Sequence, residues 1–199
     1  MIKQLVLASN NAGKLREFGE LMAPLGIDIL PQSQLGVSEA DEPHFTFVEN
    51  ALAKARHAAQ HAKLPAFADD SGICVAALHG EPGVHSARFA GNPKSDPRNN
   101  EKLVTLLQSQ TDRRAHYYCA VVLVRHAQDP EPLIAEGRWH GEIIATPRGD
   151  GGFGYDPYFF VPALGKTAAE LPAEEKNAIS HRGQALRRLI AMLRERENI

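Results

Sequence analysis

An apolar run from Gln4 to Ala8 (QLVLA) reads as a buried strand and is broken at once by Ser9, Asn10 and Asn11. Leu15, Phe18 and Met22 then recur at helical spacing, and a second apolar run follows from Ile27 to Leu30. Strand, polar turn, helix and strand in so short a stretch form a β-α-β unit. The chain is therefore expected to build an α/β sheet, with Ser9 to Lys14 (SNNAGK) at a strand-to-helix turn. Free backbone N–H groups and the positive end of a helix dipole favour an anion at such a turn, and Lys14 adds a formal charge. The same letters also suit a plain helix cap by Asn10 or Asn11, with Gly13 incidental.

The rest of the chain continues the pattern. Thr46 and Glu49 make a capping box that opens an Ala-rich helix reaching about Lys63. From Pro65 the sequence turns to β character, AFADDSG leading into ICVAAL, and a Gly/Pro turn (HGEPG) follows. Asp96 and Pro97 read as the N-cap and first residue of a helix ending near Gln108. YYCAVVLVRH is a further strand, with PLIAEGRWHGEII as its expected partner. Leu186, Leu189, Ile190 and Leu193 give an amphipathic closing helix. No repeat or linker divides residues 1–199, so one domain is expected.

Composition narrows the function classes. With 43% hydrophobic and 23% charged residues the chain is ordinary for a globular protein, and its formal net charge of -2 does not advertise a nucleic-acid surface. No apolar stretch approaches the roughly 20 residues of a membrane helix, and no signal-peptide layout opens the chain. A cytosolic protein without membrane or nucleic-acid partners is expected. Cys74 and Cys119 lie in apolar settings outside any C-x-x-C pair and read as reduced, structural thiols.

Three segments carry chemistry. In Ala68-Asp69-Asp70-Ser71-Gly72, two adjacent carboxylates stand at the end of a short apolar strand, where the chain turns. Neighbouring strand residues point to opposite faces, so one of the two is expected to act while the other braces the turn. Mg²⁺ takes oxygen ligands and often only one or two protein carboxylates, leaving phosphate oxygens to fill its shell. Asp41, Glu42 and Glu49 lie upstream as partners, Glu49 being also the capping residue. An aspartic protease would need a second Asp-Ser-Gly, and a serine hydrolase a G-x-S-x-G elbow; both are missing. His57 and His61 stand four apart on a helix but lack the zincin glutamate, Ala58 taking its place. Gly149 to Pro157 (GDGGFGYDP) is dense in glycine around Phe153, which can stack on a flat base if exposed. Lys176, His181 and Arg182, in KNAISHRG, place positive groups near the closing helix.

Six blocks together, S-x-N-x-x-K from Ser9, TFVENALAKA, ADDSG, PGVHSARFAG, GGFGYDP and EEKNAISHRGQAL, resemble the inosine/xanthosine triphosphate pyrophosphatase (Ham1-like) family over essentially the whole chain. The resemblance implies an elongated mixed α/β fold with a substrate cleft between two lobes, a homodimer, Mg²⁺, and hydrolysis of dITP, ITP and XTP to monophosphate and pyrophosphate. It implies that Ser9, Asn10, Asn11, Ala12, Gly13 and Lys14 bind the triphosphate. Asp70 would be the catalytic acid group and a metal ligand, with Asp41 or Glu42 as a second ligand and Ser71 on the substrate. Phe153, Gly154, Tyr155 and Asp156 would form the nucleoside pocket, with Lys176, His181 and Arg182 closing on the base. Where relatives more often read E-E-T-G, this chain has D-E-P-H before F-T-F.

The chemistry agrees. Cleavage between the α and β phosphates needs an in-line nucleophile, neutralisation of the departing pyrophosphate and rigid positioning. Inosine and xanthosine accept a hydrogen bond at purine position 6, where adenine donates one. The rival readings are a module that senses triphosphates without turning them over, and a pyrophosphatase for other modified nucleotides.

Overall fold

The computed structural model describes residues 2–23 and 26–197. Its strands are β1 (Gln4–Leu7), β2 (Asp28–Pro31), β3 (Ala66–Val75), β4 (Arg114–Val124), β5 (Leu133–Ile143), β6 (Phe159–Val161) and β7 (Lys166–Thr167). Its helices are α1 (Ala12–Met22), α2 (Phe47–Ala62), α3 (Asp96–Leu107), α4 (Ala173–Ile179) and α5 (His181–Glu197). The seven strands are hydrogen-bonded in the order β2-β1-β3-β4-β5-β6-β7. β1 runs parallel to both β2 and β3, whereas β6 is antiparallel to β5 and β7, so the sheet is mixed, as expected.

Two compact units share the chain. The first comprises Met1–Asp70, Cys119–Gly137 and Arg182–Ile199; the second comprises Ser71–Tyr118 and Arg138–His181.

In the first unit the alternation of strand side chains sorts the core into two layers. Leu5 and Leu7 of β1, Phe67 of β3 and Cys119, Val121 and Leu123 of β4 pack with Phe18 and Met22 of α1 and with Leu186, Leu189 and Leu193 of α5. The intervening residues Val6, Ala8, Ala66, Ala68, Val122 and Val124 pack with Ala51, Ala55, Ala58 and Ala59 of α2. Alanine on that face of α2 lets the helix lie close to the sheet. Each large side chain fully buried this way contributes about 1.5–3 kcal/mol.

In the second unit, Ile73, Val75, Tyr117, Trp139, Ile143, Tyr155 and Phe159 form the core with Leu103 and Leu107 of α3. The buried-exposed alternation along β5 is almost unbroken.

Two boundaries differ from the sequence reading. β3 does not stop at Asp69 and Asp70 but continues to Val75, so both carboxylates sit inside a ten-residue strand rather than at the tip of a short one. Ionised side chains in mid-strand mimic a turn in the hydrophobic pattern, yet each has a cationic partner that makes its burial tolerable. Helix α3 begins one residue early. Ser95 is its N-cap, with an extended backbone and a hydroxyl that accepts from the Arg98 N–H, which releases the Asp96 carboxylate for a loop contact described below.

Candidate functional site

The sorting of β3 side chains explains the two aspartates. Asp69 shares the face of Phe67, toward α1 and α5; Asp70 shares the face of Ala66 and Ala68, toward α2. They are served by different cations accordingly.

Asp69 is fully buried. Lys14 of α1 lies 2.8 Å from its Oδ2, and the Arg182 Nε of α5 lies 3.6 Å away. Burial alone pushes its carboxyl up, but the charges of Lys14, Arg182 and Lys54 outweigh that effect and hold it far below the usual carboxylate range. Asp69 is a charge anchor for two helices.

Asp70, 7% exposed, accepts from Lys54 Nζ at 3.1 Å through Oδ1 and from Asn50 Nδ2 at 3.3 Å through Oδ2. The same Lys54 ammonium donates to Glu42 Oε1 at 2.8 Å. Lys54 thus joins two carboxylates from different parts of the chain. Burial raises the Asp70 pKa and Glu42 raises it further, while Lys54 pulls it down; the net direction is upward. A carboxylate whose pKa is raised by burial is better suited to accept a proton than an ordinary surface one.

Asn50 and Lys54 are four residues apart and therefore on one face of α2. The amide of Asn50 also brackets the preceding loop, accepting from His44 N at 3.1 Å and donating to His44 O at 3.2 Å. Thr46 caps α2, accepting from Glu49 N and donating to Glu49 Oε2 at 2.7 Å, so Glu49 is engaged at the helix start. Of the two upstream ligand candidates, Glu42 is half-buried beside Lys54 and Asp41 is exposed.

At the first turn, the Ser9 Oγ accepts from Asn11 N, and Asn10 donates to Glu39 Oε1 at 3.0 Å. Asn11 caps α1, its Oδ1 accepting from Gly13 N at 2.9 Å and Lys14 N at 3.2 Å. The capping alternative is thus realised, and an anion at this turn would share those two N–H groups with Asn11. Ala12 opens α1, and the structure describes its backbone alone. Ser71 follows Asp70 in β3 and is half-buried.

A second cluster lies in the second unit. Asp156, buried, accepts from Lys176 Nζ at 2.6 Å and Phe153 N at 2.9 Å through Oδ2, and from the Tyr117 hydroxyl at 3.1 Å through Oδ1. Gly152 makes this possible: a Cβ there would stand 2.0 Å from Asp156 Oδ2, and its φ of +72° favours glycine. Phe153, 42% exposed, has the Lys176 ammonium 5.0 Å from its ring centroid. The Gly154 N–H donates to Asp96 Oδ2, its carbonyl accepts from Asn100 Nδ2, and the buried Tyr155 hydroxyl donates to Ser86 O. The His181 ring stacks on Tyr117.

The Arg182 Nε lies 3.6 Å from Asp69 Oδ2, and Lys176 pairs with Asp156. Lys54, Asn50 and Tyr117 were absent from the expected site. Lys54 and Asn50 were findable, since both lie in the TFVENALAKA block on the face of α2 that the alanines mark as buried. Tyr117 carries no local signal.

The donor chemistry fits a hard divalent cation. Among the described residues no trio of His, Cys, Asp and Glu stands at ligand spacing. Asp70 and Glu42, however, offer oxygen atoms to one cation already, and two carboxylates are as many as Mg²⁺ commonly takes from a protein.

A mixed seven-stranded sheet flanked by helices, with two adjacent buried carboxylates in one strand, defines the class: an α/β protein with ionisable side chains buried against its helices. The chain belongs to the Ham1 family, whose family model matches residues 5–192. It is 67% identical over 198 residues to the dITP/XTP pyrophosphatase of Nitrosomonas europaea, covering 100% of this chain and 98% of that one. It is 64% identical over 200 residues to the dITP/XTP pyrophosphatase of Ralstonia nicotianae, covering 99% and 100%. Among solved structures, the HAM1 protein of Coxiella burnetii superposes with a TM-score of 0.93 at 49% identity, covering 98% of this chain and 100% of that one. The Ham1 protein of Staphylococcus aureus follows at 0.88 and 42%, with the same coverage.

Proposed function

We propose that the chain hydrolyses deaminated purine nucleoside triphosphates, dITP, ITP and XTP, to the monophosphate and pyrophosphate, clearing them from the nucleotide pool. The observation that carries the reading is Asp70, buried with a raised pKa, hydrogen-bonded to Lys54 and Asn50 and facing Glu42 across the same ammonium. Its support is the identity, 62–67% over nearly the whole chain, to proteins named dITP/XTP pyrophosphatase.

Asp70 takes a proton from water as the oxygen attacks the α phosphorus, and the bond to the bridging oxygen of the β phosphate breaks. Lys14 and Lys54 supply positive charge to the departing pyrophosphate, each released in part from its carboxylate. Mg²⁺ held by Asp70 and Glu42, with Asp41 as the other candidate, would neutralise phosphate charge. Ser9, Asn10, Asn11, Ala12, Gly13 and Ser71 bind the polyphosphate end.

The base falls to the second cluster. Phe153 offers its exposed ring face, with Gly154, Tyr155 and Asp156 shaping the loop beneath it. Lys176 and His181, joined by Arg182, donate toward the 6-carbonyl that inosine and xanthosine present and adenine lacks. A site organised around such a hydrogen bond discriminates by about 10⁴ to 10⁵. The whole of residues 1–199 serves as one catalytic domain, acting as a homodimer in the cytosol. Among the described residues no helix is long and apolar enough to cross a membrane.

The test is pyrophosphate release from ITP, XTP, dITP, GTP, ATP and modified pyrimidine triphosphates, with Mg²⁺ and with chelator. Turnover of the deaminated purines that chelator abolishes is expected. Binding without turnover would make the chain a sensor, and a preference for ATP or pyrimidines would overturn the base assignment.

A further inference from the structure

We infer that Tyr117 is the positioning residue that aims the imidazole of His181 at the base; this rests on the reading of the second cluster as the purine site. Tyr117 lies in β4 and is 7% exposed, so the surrounding core limits the freedom of its ring. Its ring and that of His181 are 4.7 Å apart between centroids and within 10° of parallel. Among the other aromatic neighbours, Phe159 is tilted by 49° at 4.6 Å, and Trp139 is stacked at 24° but 6.3 Å away. The His181 ring is thus the most nearly parallel and the nearer of the two stacked partners.

His181 needs such a support. It is the first residue of α5, following Ser180, whose backbone is extended, so the helix does not by itself dictate where the imidazole points. A ring laid flat on a strand-borne phenol keeps its edge directed along the plane of the stack, which is the orientation a ring N–H needs to reach a carbonyl.

The hydroxyl of Tyr117 plays the smaller part. Asp156 Oδ2 is already held by Lys176 and by the Phe153 N–H, so the hydroxyl on Oδ1 trims a carboxylate that two other donors fix. The ring is therefore the working feature, and phenylalanine should replace tyrosine with little loss.

The experiment compares Tyr117→Phe, Tyr117→Met and Val161→Ala in the full chain with Mg²⁺. Val161 lies in the same core and serves as the control for simple loss of packing. Tyr117→Met should raise KM for ITP about threefold to tenfold, the scale of a lost aromatic stack, with kcat nearly unchanged. Tyr117→Phe and Val161→Ala should stay within about twofold of the parent KM. Independently, the ring protons of His181 in the parent chain should be shifted upfield by the Tyr117 ring current in a ¹H–¹³C spectrum, and Tyr117→Phe should keep that shift. An unshifted His181 in the parent overturns the inference even if Tyr117→Met does not fold. So does an unchanged KM in Tyr117→Met, or an equal rise in Val161→Ala. Absence of ITP turnover by the parent chain would instead defeat the purine reading, leaving the ring-current result to judge the stack.

Discussion

Replacing Lys54 by methionine keeps the aliphatic stem and removes the ammonium that Asp70 and Glu42 share at 3.1 and 2.8 Å. The Lys54 and Asp70 side chains are only 11% and 10% exposed, so water cannot fully take over, whereas Glu42, 30% exposed, is partly solvated. Breaking a buried pair from one side costs about 3–5 kcal/mol; with one partner half-wet, about 2–4 kcal/mol is expected at pH 8. The loss should depend on pH in a definite sense. Burial already raises Asp70 above its unfolded pKa, and without Lys54 it rises further. A carboxyl raised on folding favours the native state below its unfolded pKa and loses that contribution as pH climbs through the folded one. The deficit of Lys54→Met is therefore largest at pH 8 and shrinks toward pH 5 as the stranded carboxyl takes up a proton. Urea unfolding of both proteins from pH 5 to pH 8 without metal measures this. Added Mg²⁺ should stabilise the variant more than the parent, because no internal cation competes for the two carboxylates. A deficit below about 1 kcal/mol at pH 8, or one of equal size across the range, would refute the view of Lys54 as the counter-ion of a buried acid.

Asp70→Asn should lower kcat by about 10² to 10⁴ while nucleotide still binds, as calorimetry with ITP would show; near-normal turnover would place the base elsewhere. Asp69→Asn leaves Lys14 and Arg182 facing a neutral amide and should flatten the acid side of the stability profile. The parent carboxyl is depressed on folding, so its contribution is present above its unfolded pKa and drains away as pH falls, which urea midpoints between pH 5 and pH 2 will report. Gly152→Ala puts a methyl 2.0 Å from Asp156 Oδ2 at a φ of +72° and should cost about 1–3 kcal/mol. It should also raise KM for ITP as the Lys176 pair loosens, a change that steady-state kinetics would detect.

Much of this was legible in the residues. The β-α-β opening, the N-cap at Thr46, the closing helix and the opposite facing of Asp69 and Asp70 follow from residue type, periodicity and strand alternation, and the Ham1 resemblance rested on blocks in the right order. What escaped had physical causes. The strand through Asp69 and Asp70 reads as ending because two charges interrupt an apolar run, and only their cations, Lys14, Arg182 and Lys54, reveal that the run continues. The α3 cap moved by one residue because Asp96 is drawn to the Gly154 N–H, 58 positions away in sequence. Tyr117 depends wholly on long-range contacts, since nothing beside it in β4 foretells His181.

The two compact units are stitched from non-contiguous pieces, the polypeptide leaving one for the other at 70–71, 118–119, 137–138 and 181–182. No single cut can therefore release either as an intact fragment, and neither can be expressed as one uninterrupted segment. Three of these passages occur within β3, β4 and β5 and the fourth at the first turn of α5.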